Sequence, residues 1–287
     1  MCGQWKLDEQ DLNTYKTDGL LKSPFSIEDS LRSKMHESLD RLLRDNADIA
    51  PETLVCPHIP YGKKHDAKAA QAWLDYARHP GILDLVSQLI GPDIVLWGSQ
   101  VFCKPPFTGK AIPWHQDGQY WPIRPIATCS VWMALDDATP ENGCMRFIPG
   151  SHAGGSIYKH RINDRTDVVL NQEVEPSQFD ESTGRDDVLR AGQFSLHDVY
   201  LIHGSNANLS PRRRAGFVMR YMPATSVFER SIEDNHKQSG VTFSMSKRPI
   251  WLLRGQDRSG GNDFKVGHGE DYALVPRISD EDGSQPE

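Results

Sequence analysis

The residues best equipped for chemistry lie in Pro113-Trp114-His115-Gln116-Asp117-Gly118, where an imidazole and a carboxylate stand two positions apart. Their neighbours read as a strand, and side chains at i and i+2 of a strand share a face, so both can aim at one ion. A later segment, Ser195-Leu196-His197-Asp198-Val199-Tyr200-Leu201-Ile202-His203-Gly204-Ser205, offers two more histidines. Two histidines and a carboxylate form a facial triad that leaves three coordination positions open for a bidentate cosubstrate and dioxygen, as in iron(II) oxygenases. His197 and His203 share parity, so alternation does not choose between them. On one continuous strand they would lie about 20 Å apart, and only one could join His115 and Asp117. Taken alone, His-x-Asp is a short motif that also occurs without metal.

The elements that must position these residues change character along the chain. From residue 93, short apolar runs rich in β-branched and aromatic residues are broken by Gly, Pro and Asn, the pattern of a sandwich or barrel. Strands are predicted at 94–104, 112–117, 127–135, 145–148, 193–203 and 214–221. Asn142-Gly143 predicts a hairpin turn between the third and fourth of these. Residues 157–190 are polar apart from Val168-Val169-Leu170 and read as a long excursion that covers a site.

Residues 1–92 read as mostly helical. One helix covers 8–18 and stops at Gly19; another starts from Ser26, with Asp29 three residues on, and carries the stripe Leu31, Met35, Leu39 and Leu42. A third covers 66–79, and Pro80 opens a fourth that Gly91 ends. In the tail, 224–287, only 249–253 has the look of a packed segment. The expected organisation is one domain: the helical part, a β core at 93–223, and the tail.

The chain has 287 residues, 38% of them hydrophobic and 25% charged, enough for a sizeable core. A net charge of −7 is the wrong sign for a phosphate-backbone binder, so no nucleic-acid partner is expected. No apolar run approaches a membrane span, and Met1-Cys2-Gly3-Gln4-Trp5-Lys6 does not read as a signal peptide; the expectation is a cytoplasmic protein with no membrane partner. Cys2, Cys56, Cys103, Cys129 and Cys144 are odd in number and widely spaced, pointing to reduced, mostly buried thiols. Asn208-Leu209-Ser210 fits a glycosylation acceptor, but nothing in the sequence indicates a secretory route.

A series of segments along the chain gives the pattern a family likeness. Trp114-His115-Gln116-Asp117 is followed by Trp132-Met133-Ala134-Leu135-Asp136-Asp137 leading to Glu141-Asn142-Gly143-Cys144. Ile148-Pro149-Gly150-Ser151-His152 comes next, and His203-Gly204-Ser205 with Arg214-Ala215-Gly216 closes the series. In order and spacing the chain resembles the phytanoyl-CoA dioxygenase family of iron(II)- and 2-oxoglutarate-dependent oxygenases, over roughly 93–223 and again at Tyr15-Lys16-Thr17-Asp18-Gly19. The resemblance implies a mainly β fold, a double-stranded β-helix of the jelly-roll type with flanking N-terminal helices. It implies His115, Asp117 and His203 as iron ligands, with His197 a structural histidine of its strand.

The same resemblance implies Fe(II), 2-oxoglutarate and O2 as the reactive set. An unactivated C–H of a small organic metabolite would be hydroxylated with release of succinate and CO2. Asp117 disfavours halogenation, because related halogenases carry a small residue there. Arg214, eleven residues past His203, takes the place of the arginine that holds the distal carboxylate of 2-oxoglutarate. Alternation alone leaves Arg212 as its parity-matched rival, with Arg213 on the opposite face. Ser130 matches a hydroxyl contact to 2-oxoglutarate, and Gln100 is a further candidate for the cosubstrate.

For substrate, the candidates are Tyr120, Trp121 and Arg124 at the mouth of the barrel, Lys104, and Arg220, which shares parity with Arg214. Aromatic walls plus a cation suit a small polar or anionic molecule. His152 reads as a turn residue, and His58, His65, His160 and His268 carry no partner pattern. The rival readings are a jelly-roll protein that binds metal and oxo acid without turnover, a zinc hydrolase on the same ligands, and a desaturase or cyclase variant of the same chemistry.

Overall fold

The computed structural model describes residues 4–59, 67–232 and 245–268. Cys2, His65 and the start of the third predicted helix lie outside them. Among the described residues four α-helices precede residue 91, with two strands between them. α1 (Glu9–Asp18) is started by a reciprocal Asp8/Asp11 capping box and ended by Gly19 in the left-handed conformation. α2 (Asp29–Asp45) buries Met35, Ser38, Leu39 and Leu42 at helical spacing. α3 (Ala67–Ala77) buries Trp73, Leu74 and Ala77, and α4 (Pro80–Ile90) has Pro80 in its first turn and Gly91 as its stop.

The strands in chain order are β1 (Leu20–Ser26), β2 (Leu54–Val55), β3 (Ile94–Lys104), β4 (Ile112–His115), β5 (Ile123–Arg124) and β6 (Cys129–Ala134). There follow β7 (Met145–Phe147), β8 (His160–Ile162), β9 (Gln172–Val174), β10 (Arg185–Asp187) and β11 (Gln193–Asp198). The last four are β12 (His203–Ser205), β13 (Arg214–Pro223), β14 (Val227–Phe228) and β15 (Trp251–Arg254). A major sheet runs β1-β11-β6-β13-β3-β15, with β2 also on β3, and a minor sheet runs β10-β7-β12-β4. All of the pairings in both sheets are antiparallel, as a jelly roll requires.

Alternation along the major sheet sorts its side chains into two jobs. Ala215, Phe217, Met219 and Tyr221 of β13, with Cys129, Val131 and Met133 of β6 and Phe194 and Leu196 of β11, pack against the helices. Leu39 is fully buried in that layer, and Leu39→Ala should cost about 2–5 kcal/mol in lost transfer energy and cavity. The intervening residues, among them Ser130, Trp132, Ser195, His197, Arg214, Val218 and Arg220, face the space between the sheets. The helices shield one face of the major sheet so that its other face can carry chemistry. Among the described residues no helix is long and apolar enough to cross a membrane.

Several expectations need correction. Residues 20–26 form an edge strand on β11, obscured in the sequence by Pro24. Ser26 ends that strand and does not cap α2, whose N-cap, Glu28, makes no side-chain capping bond. Asn142-Gly143 does turn the chain, with Gly143 at φ 76°, but it joins strands of different sheets and makes no hairpin. The 157–190 segment contains the β8–β9 hairpin and β10, which completes the minor sheet. The tail supplies β15, paired with β3.

The predicted strand at 193–203 is in fact two. β11 ends at Asp198, the chain turns, and β12 begins at His203 in the minor sheet. The distance argued for a continuous strand therefore does not apply to His197 and His203.

Candidate metal centre

His115 is the last residue of β4, and the chain then stays extended at Gln116 before a short 3-10 turn opens at Asp117. The extended residue preserves the shared face of i and i+2 although the strand has ended. His203, first residue of β12, sits directly opposite His115 in the β12–β4 register. The ring centroids are 4.3 Å apart. One ligand atom from each of His115, Asp117 and His203 lies within 4.8 Å of the others, and all three side chains are buried.

The ring nitrogens are already sorted. Nδ1 of His115 is 2.9 Å from the Pro113 carbonyl and Nδ1 of His203 is 3.0 Å from that of Leu201. A carbonyl only accepts, so each Nδ1 carries the proton and each Nε2 presents a lone pair, as a metal ligand must. Burial lowers the pKa of His115, and burial with the neighbouring His115 pulls His203 down to about 3. Burial alone would raise Asp117, but the contact with His197 and the charges of His203, Arg220 and His115 outweigh it and hold the carboxyl far below its ordinary value. Two neutral imidazoles and a carboxylate are the forms that bind a divalent cation without losing a proton.

Asp117 is oriented from behind. Ser130 Oγ donates to Oδ2 at 3.4 Å, and His197 Nε2 stands 3.6 Å from the same oxygen. Oδ1 lies 3.8 Å from Nε2 of His115. His197 therefore reaches the site from β11, its ring centroid 4.9 Å from that of His203, rather than serving its strand alone. Gln116, fully buried, locks the turn between the ligands: its amide donates to the carbonyls of Tyr200 at 2.6 Å and Ser156 at 3.1 Å, and its carbonyl accepts from the Tyr158 amide at 2.6 Å.

A cavity opens over the triad. His115, Asp117 and His203 line it together with Arg214, Gln100, Tyr120, Trp121 and Arg220. Arg214 is 2% exposed; its guanidinium lies 5.3 Å from the Trp132 ring centroid and its Nε donates to the Gly143 carbonyl at 3.1 Å. Gly216 makes this stacking possible, because a Cβ there would fall 2.3 Å from the Trp132 ring. Arg212 is exposed, and Arg213 is spent on Asp136 at 2.8 Å and Asp40 at 3.3 Å. Of the three arginines only Arg214 enters the cavity.

Two candidates lie elsewhere. Lys104, opposite Arg214 in the β3–β13 register, is buried behind the cavity wall, where its Nζ donates to Ser205 Oγ at 2.7 Å and to the Asn206 carbonyl. Burial, followed by the charge of Arg214, lowers its pKa well below the usual lysine value. Arg124 is exposed, donates to the carbonyls of Trp121 and Ile123, and does not line the cavity. The β5–β14 pairing carries it outward.

Outside the site, His152 contacts the Lys16 carbonyl as a turn residue. Cys56, Cys103, Cys129 and Cys144 are buried free thiols. Asn208 is fully buried, its amide donating to the carbonyls of Pro105 and Arg212, so it offers no acceptor for a glycan.

Sequence reasoning missed several cavity residues. Trp97 and Gly98 form a bulge against Arg220-Tyr221, which shifts the parity of β3 so that both line the cavity. Met245 and Arg248 arrive from the tail, and Val169 and Leu170 from the 157–190 segment, where the apolar triplet was the available signal. Val169 is held there by donating its amide to the Ala111 carbonyl at 3.0 Å.

Residues 22–216 match the family model described as phytanoyl-CoA dioxygenase (PhyH). A probable phytanoyl-CoA dioxygenase of Caenorhabditis elegans is 32% identical over 155 residues, covering 51% of this chain and 49% of that protein. The ectoine dioxygenase of Streptomyces avermitilis is 27% identical over 221 residues, 71% of this chain and 75% of that one. Against two of the curated relatives the alignment spans about half of the relative's length. Among solved structures, EvdO2 from Micromonospora carbonacea var. aurantiaca, complexed with 2-oxoglutarate, superposes with a TM-score of 0.64 at 23% identity, over 78% of this chain and 94% of that one. That likeness is one of fold.

Proposed function

The chain belongs to the phytanoyl-CoA dioxygenase family, and on that premise we propose that it is a non-haem iron(II)- and 2-oxoglutarate-dependent dioxygenase that hydroxylates an unactivated C–H of a small organic metabolite. The observation that carries the reading is the convergence of His115, Asp117 and His203 on one point, with both Nδ1 atoms engaged by backbone carbonyls. A mixed nitrogen and oxygen donor set with a single carboxylate suits iron(II), and the three buried groups stand in the protonation states it needs. When bound, iron(II) and 2-oxoglutarate would let O2 act as the oxidant, 2-oxoglutarate giving up two electrons as it is converted to succinate and CO2 and the substrate C–H giving up the other two.

The rest is the work of this chain's own residues. His115, Asp117 and His203 hold the metal, and Ser130 and His197 keep the Asp117 carboxylate turned toward it. Arg214 offers its two-pronged cation to the distal carboxylate of 2-oxoglutarate in a buried setting where a charge-assisted pair is strong. Gln100, Tyr120, Trp121 and Trp97 confine the substrate and exclude water. The presence of Asp117 favours hydroxylation over halogenation. Relatives named for proline 4-hydroxylation, for ectoine and for hypophosphite support a small substrate.

The test is turnover. Protein reconstituted anaerobically with iron(II) and then exposed to O2 should release succinate from 2-oxoglutarate, faster with a productive substrate, and Asp117→Ala should release none. Equal release by both proteins would overturn the reading.

A further inference from the structure

Arg220 and Arg248 approach each other over one glycine in the cavity wall. Arg220 lies opposite Gly98 in the β13–β3 register. A Cβ built on Gly98 would lie 3.8 Å from Cδ of Arg220 and 3.9 Å from Nη1 of Arg248. Both arginines line the cavity that holds the triad. Each is seated on an aromatic face, Arg220 at 5.2 Å from the Trp121 ring centroid and Arg248 at 6.0 Å from that of Trp97, and those two rings meet edge to face at 4.5 Å. The segment bearing Arg248 is pinned, because Arg230 donates to the Arg248 carbonyl at 2.6 Å.

Arg220 is under-used by its protein neighbours. Its Nη2 reaches Gln100 Oε1 at 3.4 Å, and its buried Nε has no hydrogen-bond partner among the described residues. Leaving a buried charged donor unmatched is costly, so such a group is normally satisfied by a ligand or water. The charges point the same way. Iron(II), Asp117, the two carboxylates of 2-oxoglutarate and Arg214 together are neutral, and Arg220 stands outside that balance.

Resting on the oxygenase reading above, we infer that the substrate is a small organic oxyanion whose head group is held by Arg220 and Arg248. Its apolar body would extend along Trp97, Trp121, Tyr120 and Met245 toward the metal centre. Six residues of extended strand, about 20 Å, separate Arg220 from Arg214, so substrate and cosubstrate anions occupy different ends of the cavity. Two guanidiniums suit a carboxylate or a phosphonate, both of which accept paired hydrogen bonds.

Calorimetry tests this on full-length protein saturated anaerobically with iron(II) and 2-oxoglutarate, using hexanoate, hexylphosphonate and the neutral hexanamide as probes. At least one anion should bind tenfold or more tightly than the amide, and which one identifies the head group. Arg220→Gln and Arg248→Gln should each erase that preference while 2-oxoglutarate affinity stays within about twofold; Arg220→Lys, which keeps the charge, should restore part of it. No preference for either anion in the wild type, or a loss of 2-oxoglutarate binding in Arg220→Gln as large as in Arg214→Gln, would overturn the inference. A protein that does not bind 2-oxoglutarate but still prefers the anions would sink the oxygenase reading and leave the anion site standing.

Discussion

His197 lies on β11 of the major sheet and Asp117 in the turn that follows β4 of the minor sheet, yet Nε2 of the histidine stands 3.6 Å from Oδ2 of the carboxylate. The contact leaves Oδ1 facing Nε2 of His115, and on the proposed metal site it would make His197 a support for the Asp117 ligand. Outer partners of this kind typically contribute 10–100-fold in metal affinity. His197→Phe should therefore weaken iron(II) binding by roughly that factor, while Asp117→Ala should abolish it. Equilibrium competition with a chelator measures both, and an unaltered affinity in His197→Phe would count against the supporting role.

Arg214 allows a comparison within one tripeptide. Arg214→Ala should raise the 2-oxoglutarate requirement by about 2 kcal/mol, some 30-fold, the worth of a lost charge-assisted contact. Arg212→Ala, at an exposed position, should change little. Arg213→Ala should lower stability through Asp136 and Asp40 and leave the cosubstrate alone. A larger cosubstrate effect from Arg212→Ala would shift the assigned register by two residues.

Gln116 makes three hydrogen bonds from a fully buried position between the ligands. Gln116→Ala would strand two carbonyls and an amide, at about 1–3 kcal/mol for each unsatisfied group. Denaturant unfolding should register a loss of several kcal/mol, and iron(II) affinity should fall with it. Unchanged stability would mean that water replaces the side chain.

The β core was largely legible. Ile94–Lys104 coincides with its predicted bounds because a long, almost wholly buried run that opens on Ile94-Val95-Leu96-Trp97 has one good solution, and the alternation of β13 separated Arg214 and Arg220 from their helix-facing neighbours. The break after Asp198 was not legible: Val199, Tyr200, Leu201 and Ile202 are apolar enough to continue a strand, and only the pairing of β12 with β4 reveals the crossing between sheets. Arg248 was hidden for a different reason, since a residue delivered to a cavity by a distant tail leaves no local periodicity. Arg124 fell into the candidate set by adjacency alone, and a two-residue strand turned it outward.

Asp187 gives a prediction in pH. Burial pushes its carboxyl up to about 6, against the pull of the Ser195 hydroxyl donating at 2.6 Å and the charges of His197 and Lys22. Between the unfolded value near 4 and that raised value the folded chain binds more protons than the unfolded one. Stability is therefore favoured at the acid end of the window and falls as pH rises to about 6, by about 3 kcal/mol in all, then levels off. In chelator-treated protein, Asp187→Asn should remove this component from the pH dependence of urea unfolding. Identical slopes in the two proteins between about pH 4 and pH 6 would refute it.

The site formed by His115, Asp117 and His203 is proposed to hold an iron ion that 2-oxoglutarate chelates. Its most direct test is an anaerobic titration of the metal-free protein with iron(II) and then 2-oxoglutarate, followed by visible absorption, with Asp117→Ala alongside. The wild type should show the weak charge-transfer band of the keto-acid chelate, and the variant none. A wild type that binds iron(II) and 2-oxoglutarate without that band, or a variant that develops it fully, would contradict the assignment.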